Sequence, residues 1–244
     1  MNGGLDVLVE GSTVVRLVAT PPLAAKVLPG PTLMVVGSAA GLLAGDTIRI
    51  RISLAPGASL TVRTTAATIA HPCPDGGSTA LEIDCRLGQG AQLVWLPEPL
   101  IACAGCRHTG RTRLSLGCDS VVTWLETVAL GRTGESPGWL EQRLDASVEG
   151  RPLLREGLRI GPGWDGPAVL GPHRHLATLH LLGRRLPLDL PGVMQLAGPG
   201  TTARFVARRG DELSRQIETL LPLFAHLPGS PGPPGHRAKE AVHV

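Results

Sequence analysis

The sequence predicts an all-β protein whose strands stack in successive coils, a β-helix-like solenoid. Glycine (32 residues) and proline (22 residues) are abundant in the 244-residue chain, which favours many short elements separated by turns. A pattern of leucine, small turn residues and a return to apolar strand recurs at 54–60, 87–93 and 116–121, with spacings of 33 and about 29 residues. Self-similarity at this spacing indicates stacked coils, although a β-sandwich with similar hairpin turns also fits.

The first repeat lies inside a clear strand, turn, strand pattern. Between positions 46 and 54 apolar and polar residues alternate, and the apolar ones are Ile48, Ile50, Ile52 and Leu54. This two-residue period places one face of a strand on a core and the other in water. Pro56-Gly57 then predicts a turn, and the alternation resumes at Leu60.

Other strand-like segments follow the same logic along the chain. They are separated mostly by glycine, proline or aspartate, at about 12–19, 31–38, 46–54, 58–65, 79–87, 91–96, 111–116, 120–130, 140–149 and 152–160. No plausible crossover helix lies among them, so a βαβ sheet is not expected.

The end of the chain changes character. Residues 211–227 carry leucine and isoleucine at helical spacing with acidic residues in the first turn, which predicts a helix that is kinked or ends near Pro222. Residues 1–227 are therefore expected to form a single β-rich domain that ends in this helix. The proline- and glycine-rich segment 228–244 is expected to be a disordered tail.

Composition also argues against several classes of function. A net charge of +3 with two phenylalanines and four tryptophans does not suit a nucleic-acid binder. The start of the chain lacks the pattern of a signal peptide, and glycine and proline interrupt the uncharged stretch between Lys26 and Asp46, so we expect a cytoplasmic protein without a membrane span. Nucleophile motifs and a phosphate-binding loop are absent, so neither nucleophilic catalysis nor nucleotide hydrolysis is expected.

The cysteines suggest a metal or redox site only weakly. Cys103 and Cys106 form a CxxC followed by His108, which could be a thiol redox pair or half of a zinc site. A redox motif should precede a helix, and a structural zinc site needs a second ligand pair, and neither context is present. Because Cys73, Cys85 and Cys118 are scattered, we interpret all five as structural or incidental.

The histidines receive a similar interpretation. His173, His175 and His180 lie close together, and two histidines on one strand can bind a transition metal. Since no carboxylate or cysteine is close by in sequence, we interpret them as solvated loop histidines. The segment 71–75 (HPCPD) also contains ligand types, but its prolines already explain a turn.

Four carboxylates in apolar strand contexts are the remaining candidates: Asp46, Glu98, Glu126 and Glu156. Ionised groups near a core need partners, a hydrated cavity or a functional reason. In a structural interpretation each lies at a strand end facing solvent or pairs with Arg63, Arg132 or Arg155. In a functional interpretation they line a polar channel, and the sequence leaves both interpretations open.

With these segments placed, the chain resembles the urease accessory protein D family, in its short high-GC bacterial form. The residues that carry the resemblance occur in the same order over about 21–160: Ala40–Asp46, Pro56–Ala58, Thr64–Thr68, Gly90-Ala91, Trp95–Pro99, Glu126, Leu130–Arg132, Gly134-Glu135 and Gly150–Leu154. Ala44 departs from the pattern, because it replaces a glycine and would restrict the backbone if that position needed positive φ.

The resemblance implies a cytoplasmic, non-enzymatic β scaffold with two short helices. It implies binding to apo-urease with accessory proteins F and G, and help in delivering nickel to the urease active site. We predict no tightly bound metal or cofactor but a transient nickel path along Asp46, Glu98, Glu126 and Glu156, because scattered oxygen ligands suit transit better than storage. The alternatives are a pure protein-interaction module and, less favoured, a zinc or thiol-redox protein that uses Cys103 and Cys106.

Overall fold

The structure is a computed structural model that describes residues 2–39, 41–187 and 189–225. The expected tail, 228–244, lies outside the described residues. In chain order the described elements are Asn2–Glu10 (β1), Thr13–Thr20 (β2), Leu23–Leu28 (β3), Thr32–Gly37 (β4), Thr47–Leu54 (β5), Ser59–Thr64 (β6), Thr68–Ala70 (β7), Thr79–Leu87 (β8), Gln92–Leu96 (β9), Leu100–Ala102 (β10), Arg107–Leu116 (β11), Val121–Leu130 (β12), Trp139–Val148 (β13), Arg151–Ile160 (β14), His175–Leu182 (β15), Val193–Gln195 (β16), Gly200–Ala207 (β17) and Gly210–Ala225 (α1).

The strands form two facing sheets. Sheet A has the order β14-β13-β11-β8-β5-β1-β2, and sheet B has the order β16-β17-β15-β12-β9-β6-β4-β3, with β7 and β10 paired beside β12. The central strands of each sheet are parallel, and the edges are closed by antiparallel strands. From β4 to β13 the chain passes repeatedly from one sheet to the other and returns beside its previous pass. This is the predicted solenoid of stacked coils.

The leucine repeat predicted from the sequence is the vertical register of these coils. Leu54 pairs with Leu87, and Leu87 pairs with Leu116. Val9 and Val148 extend the same row at its two ends. Equivalent residues of successive coils therefore lie one above another, and each coil buries the apolar face that its neighbour exposes.

The turns after this row stack in the same way. Gly57, Gly90 and Asp119 occupy equivalent positions with φ of 69°, 66° and 56°. Their coils are joined by backbone hydrogen bonds, in which Gly57 N donates to Gln89 O and Gly90 N donates to Cys118 O, both at 2.8 Å. Glycine suits this left-handed conformation, and aspartate tolerates it better than most residues, which explains the degenerate third copy.

The outer faces of the two sheets differ. On sheet A the row 51, 84, 113, 145 alternates arginine and aspartate in register, and its side chains face water. On sheet B, α1 packs against β12, β15 and β17 through Leu213, Leu220 and Phe224. The hydroxyl of Thr123 donates to the carbonyl of Phe224 at 2.8 Å and ties the end of the helix to the sheet.

The expected helix is confirmed, and Pro222 lies inside its last turn. Several strands were not predicted, chiefly β1, β3 and β17, and β11 begins at Arg107 rather than near residue 111. In β1 and β11 buried residues alternate with more exposed ones, so a two-residue period was available there, whereas β3 and β17 lack a clear alternation of apolar and polar residues. Among the described residues, no helix has both the length and the apolar character needed to cross a membrane.

Candidate functional site: an interior cavity between the sheets

A cavity of about 380 Å³ lies between the sheets at the end of the strands opposite the stacked turns. Its walls come from β5, β8, β11 and β13 of sheet A and from β4, β6, β9 and β12 of sheet B, and the segment 64–69 covers part of it. Most of the lining side chains are apolar. The exposed residues Ala39, Ala66 and Glu98 lie along the wall where it meets the surface.

The cavity exists because one row of the sheet A interior is irregular. Ile48, Leu81, Gly110 and Gln142 pair in succession across four strands. Gly110 has no side chain, and the neighbouring Gln142 leans over it, with Cγ 3.3 Å from where a Cβ would stand. A glycine and an amide therefore replace the branched apolar residues that fill the equivalent places elsewhere in the core.

Two tryptophans form the sheet B wall. Trp95 and Trp124 stack with ring centroids 4.8 Å apart and an interplanar angle of 9°. The indole N–H of Trp124 donates to Glu126 Oε1 at 3.1 Å, so the ring positions the carboxylate that follows it on the same face of β12.

Glu126 is the acidic group in the wall that lies away from the exposed edge of the cavity. Burial raises the pKa of its carboxyl above the usual range, and the charge of Glu156 acts in the same direction, while hydrogen bonds from Trp124 and Thr112 favour the ionised form. The carboxylate is surrounded by protein yet borders the cavity, which gives it access to water or to a cation.

The other predicted carboxylates lie at different depths. Glu98 is exposed at the edge of the cavity. Glu156 lies on β14, beyond the cavity wall, where its Oε1 atom pairs with Arg204 at 2.8 Å. The ion pairs expected for Arg132 and Arg155 are not with these carboxylates, because Arg132 pairs with Glu135 and Arg155 with Asp145. Glu98 and Glu126 therefore lie at the edge and in the wall of the cavity, whereas Glu156 lies outside its lining with 19% of its side chain exposed.

Asp46 has a different position. It is buried in the turn before β5 and does not line the cavity; its Oδ2 atom accepts the amide of Leu43 at 2.9 Å, and its own amide donates to the Leu43 carbonyl at 2.9 Å. These bonds close the Gly41–Asp46 turn. The positive φ in this turn belongs to Gly41 and Gly45, and Ala44 is not among the described residues with positive φ, so the departure at Ala44 is accommodated without strain.

The interpretation of the histidines as solvated loop residues is wrong for His180. His180 lies on β15 and is fully buried, whereas His173 and His175 are half-buried. Sequence distance misled the prediction, because the carboxylate near His180 comes from another sheet: Glu156 Oε2 lies 3.8 Å from its Nε2. Burial, aided by the charge of Arg204, lowers the pKa of His180 to about 3, so the pair is a neutral imidazole beside a carboxylate.

His108 is a second buried histidine, and it lines the cavity. Its Nδ1 is hydrogen bonded to Thr79 Oγ1 at 2.7 Å, and burial lowers its pKa to about 4. The sequence placed it only as a neighbour of the CxxC. Its alternation with Gly110 and Thr112 on β11 was the available signal, but the predicted strand began too late to include it.

The cysteines are free thiols, and four of them are buried. Burial raises the pKa of Cys106 to about 11, which opposes thiolate formation, while Arg132 Nε lies 3.3 Å from Cys103 Sγ. No group of three or more metal-ligating side chains is gathered for a metal within residues 2–39, 41–187 and 189–225. A zinc or redox role for Cys103 and Cys106 stays a prediction, and metal analysis of the dialysed protein would test it.

Comparison with known proteins places these features in a family. The model of the UreD urease accessory protein family matches residues 9–236. The chain is 34% identical over 202 residues to the urease accessory protein UreD of Streptomyces coelicolor, covering 78% of this chain and 80% of the relative. It is 32% identical over 231 residues to UreD of a Parafrankia species, covering 82% and 78%. A UreD of Streptomyces avermitilis is 40% identical over 151 residues, covering 60% of each chain.

Proposed function

Because this chain belongs to the UreD urease accessory protein family, we propose that it is a non-catalytic scaffold of urease maturation through which nickel passes weakly held. In this proposal it acts in the cytoplasm and binds apo-urease together with accessory proteins F and G, and protein G supplies the GTP hydrolysis. The observation that supports the nickel path is the carboxylate of Glu126 in the wall of the interior cavity.

The arrangement of charges suits transit. A divalent cation leaves water only where oxygen ligands and retained waters replace part of its hydration, and a dense cluster of cysteine or histidine would hold it too tightly. Glu98 at the edge, Glu126 in the wall and Glu156 beyond it offer single carboxylates in succession. Asp46 is left out of the path, since its carboxylate closes its own turn.

The test is the nickel content of urease purified from cells that co-express the maturation proteins with Glu126→Ala or Glu126→Gln. We expect a several-fold loss of nickel with both variants, because each removes the charge and Gln keeps the size of the side chain. Glu82→Gln is the matched control, since Glu82 lies on the outer face of sheet A paired with Arg49. Normal nickel loading with both Glu126 variants would contradict the path.

A pure interaction module is the second candidate. Exposed apolar side chains on β16, β17 and α1 favour it, since Met194 is 45%, Val206 44% and Leu223 43% exposed. A pull-down of apo-urease by the same variants separates the two candidates. Lost nickel loading with intact binding supports transit, and loss of both supports docking alone.

A further inference from the structure

Three strands place His180 beside Glu156, the last carboxylate of the proposed path. His180 lies in register with Trp124 on β12 and with Thr202 on β17, and the sheet A residue that approaches it is Glu156. Glu156 is also close enough to Glu126 for their charges to interact. The imidazole is therefore adjacent to Glu156, whose charge in turn reaches Glu126.

One nitrogen of His180 is fixed and the other is available. Nδ1 is hydrogen bonded to Thr202 Oγ1 at 2.9 Å, whereas Nε2 has no hydrogen-bond partner among the described residues. When Nδ1–H donates to the threonine, Nε2 presents its lone pair. This is the arrangement of histidines that bind metals, whose second nitrogen is held by a neighbouring acceptor.

The distance to Glu156 fits two ligands of one ion. The 3.8 Å between Nε2 and Oε2 is too long for a hydrogen bond. Ligand atoms that each lie about 2.1 Å from the same metal are separated by about 3 to 4 Å, depending on the angle between the bonds.

We infer that His180 Nε2 and Glu156 Oε2 form an imidazole–carboxylate site for a borderline divalent cation such as Ni²⁺ at the end of the path that Glu156 marks. The inference rests on the proposed nickel path for its biological meaning, but binding is a property of the isolated chain. Two protein ligands with waters make a weak site, which suits a cation that must leave again.

Arg204 competes with the cation for Glu156. Its guanidinium lies 2.8 Å from Oε1, and its side chain is 53% exposed, so it can move into water without burying its charge elsewhere. Removing the guanidinium should free Glu156 Oε1 and should also remove a positive charge that repels a cation at this place. Arg204→Gln is therefore expected to strengthen Ni²⁺ binding, in contrast to the ligand substitutions.

The experiment is a titration of the purified full-length chain with Ni²⁺. Binding is measured by calorimetry and by the broadening of histidine ring signals in NMR spectra. His180→Gln should weaken binding at this site at least tenfold, and the ring signal absent from that variant should be broadened by Ni²⁺ in the wild type. His108→Gln is the matched control. His108 is also buried, bonded through Nδ1 to a threonine and without a described partner for Nε2, but no described carboxylate lies within 4.0 Å of it.

Unchanged Ni²⁺ affinity in His180→Gln, or an equal loss in His108→Gln, would overturn the inference. If His180→Gln does not fold, Glu156→Gln and Arg204→Gln decide instead. Weaker binding in the first and tighter binding in the second support the site, and unchanged affinity in both overturns it. The nickel path fails separately, through normal urease loading with the Glu126 variants.

Discussion

The two ends of the solenoid interior differ in how regularly their residues repeat. At the turn end, Leu54, Leu87 and Leu116 stack in sheet A, and they face the row Leu60, Leu93, Val122 and Leu182 of sheet B; all are buried. At the opposite end, equivalent places hold an isoleucine, a leucine, a glycine and a glutamine. Similar side chains stacked in register fill space, whereas a row of unequal ones leaves a cavity that polar groups can line.

The largest loss of stability is expected from a substitution at the turn end, where the stacked rows are regular. Leu93 is fully buried in the packed row, so Leu93→Ala should lower the free energy of unfolding by about 2 to 5 kcal/mol. Leu81→Ala should cost less than half as much, because Leu81 is half-buried and already borders the cavity. Urea unfolding of both variants measures the difference. Equal losses would show that the two ends are packed alike.

Acid should destabilise the irregular end next. The pKa values of His108 and His180, about 4 and about 3, lie below the ordinary 6.5, so the unfolded chain takes up these protons first as pH falls. The contribution of the two neutral histidines to the free energy of unfolding is then fully present above pH 6.5. Below that pH it is lost, by at most about 1.4 kcal/mol per pH unit for each histidine.

Urea unfolding at pH 7.5 and pH 5 measures this loss. Each of His108→Gln and His180→Gln should reduce the pH dependence of the free energy of unfolding by the contribution of one histidine. A wild-type stability that stays constant over this range would contradict the burial of both imidazoles.

Glu126→Gln is expected to change the free energy of unfolding less than the preceding changes do, and to raise it rather than lower it. Because the folded-state pKa of Glu126 is raised, ionisation favours the unfolded chain above the usual carboxyl range, and the neutral amide avoids that cost. The variant should be more stable than the wild type at pH 7, and the gain should vanish below pH 4.5. A variant less stable at pH 7 would mean that the charge stabilises the fold rather than serving the cavity.

The smallest effect is expected outside both regions. Arg49 pairs with Glu82 at 2.9 Å on the outer face of sheet A, where both side chains are exposed. Arg49→Gln should change stability by no more than about 0.5 kcal/mol, and less at high salt. Thermal unfolding at two salt concentrations tests this. A larger, salt-independent loss would place this pair in the packing of the sheet.

The predictable part of the molecule is the part that repeats. The alternation in β5 and the leucine spacing gave the strands, their stacking and the class of fold, and the helical spacing gave α1. The strands β1 and β17 were missed: β1 alternates buried Leu5, Val7 and Val9 with more exposed residues, whereas β17 has no such alternation. Glu126 and Glu98 were identified as polar groups in apolar strands, but the same argument selected Asp46, which a local turn explains.

By itself, the sequence determined the coil repeat, the all-β class and the family, because these depend on patterns that recur along the chain. Only the tertiary structure decided where the cavity lies and which groups meet beyond its wall. His180 and Glu156 are 24 residues apart, on strands of different sheets. Their approach to 3.8 Å depends on the register of both sheets at once, which no local pattern of either strand contains.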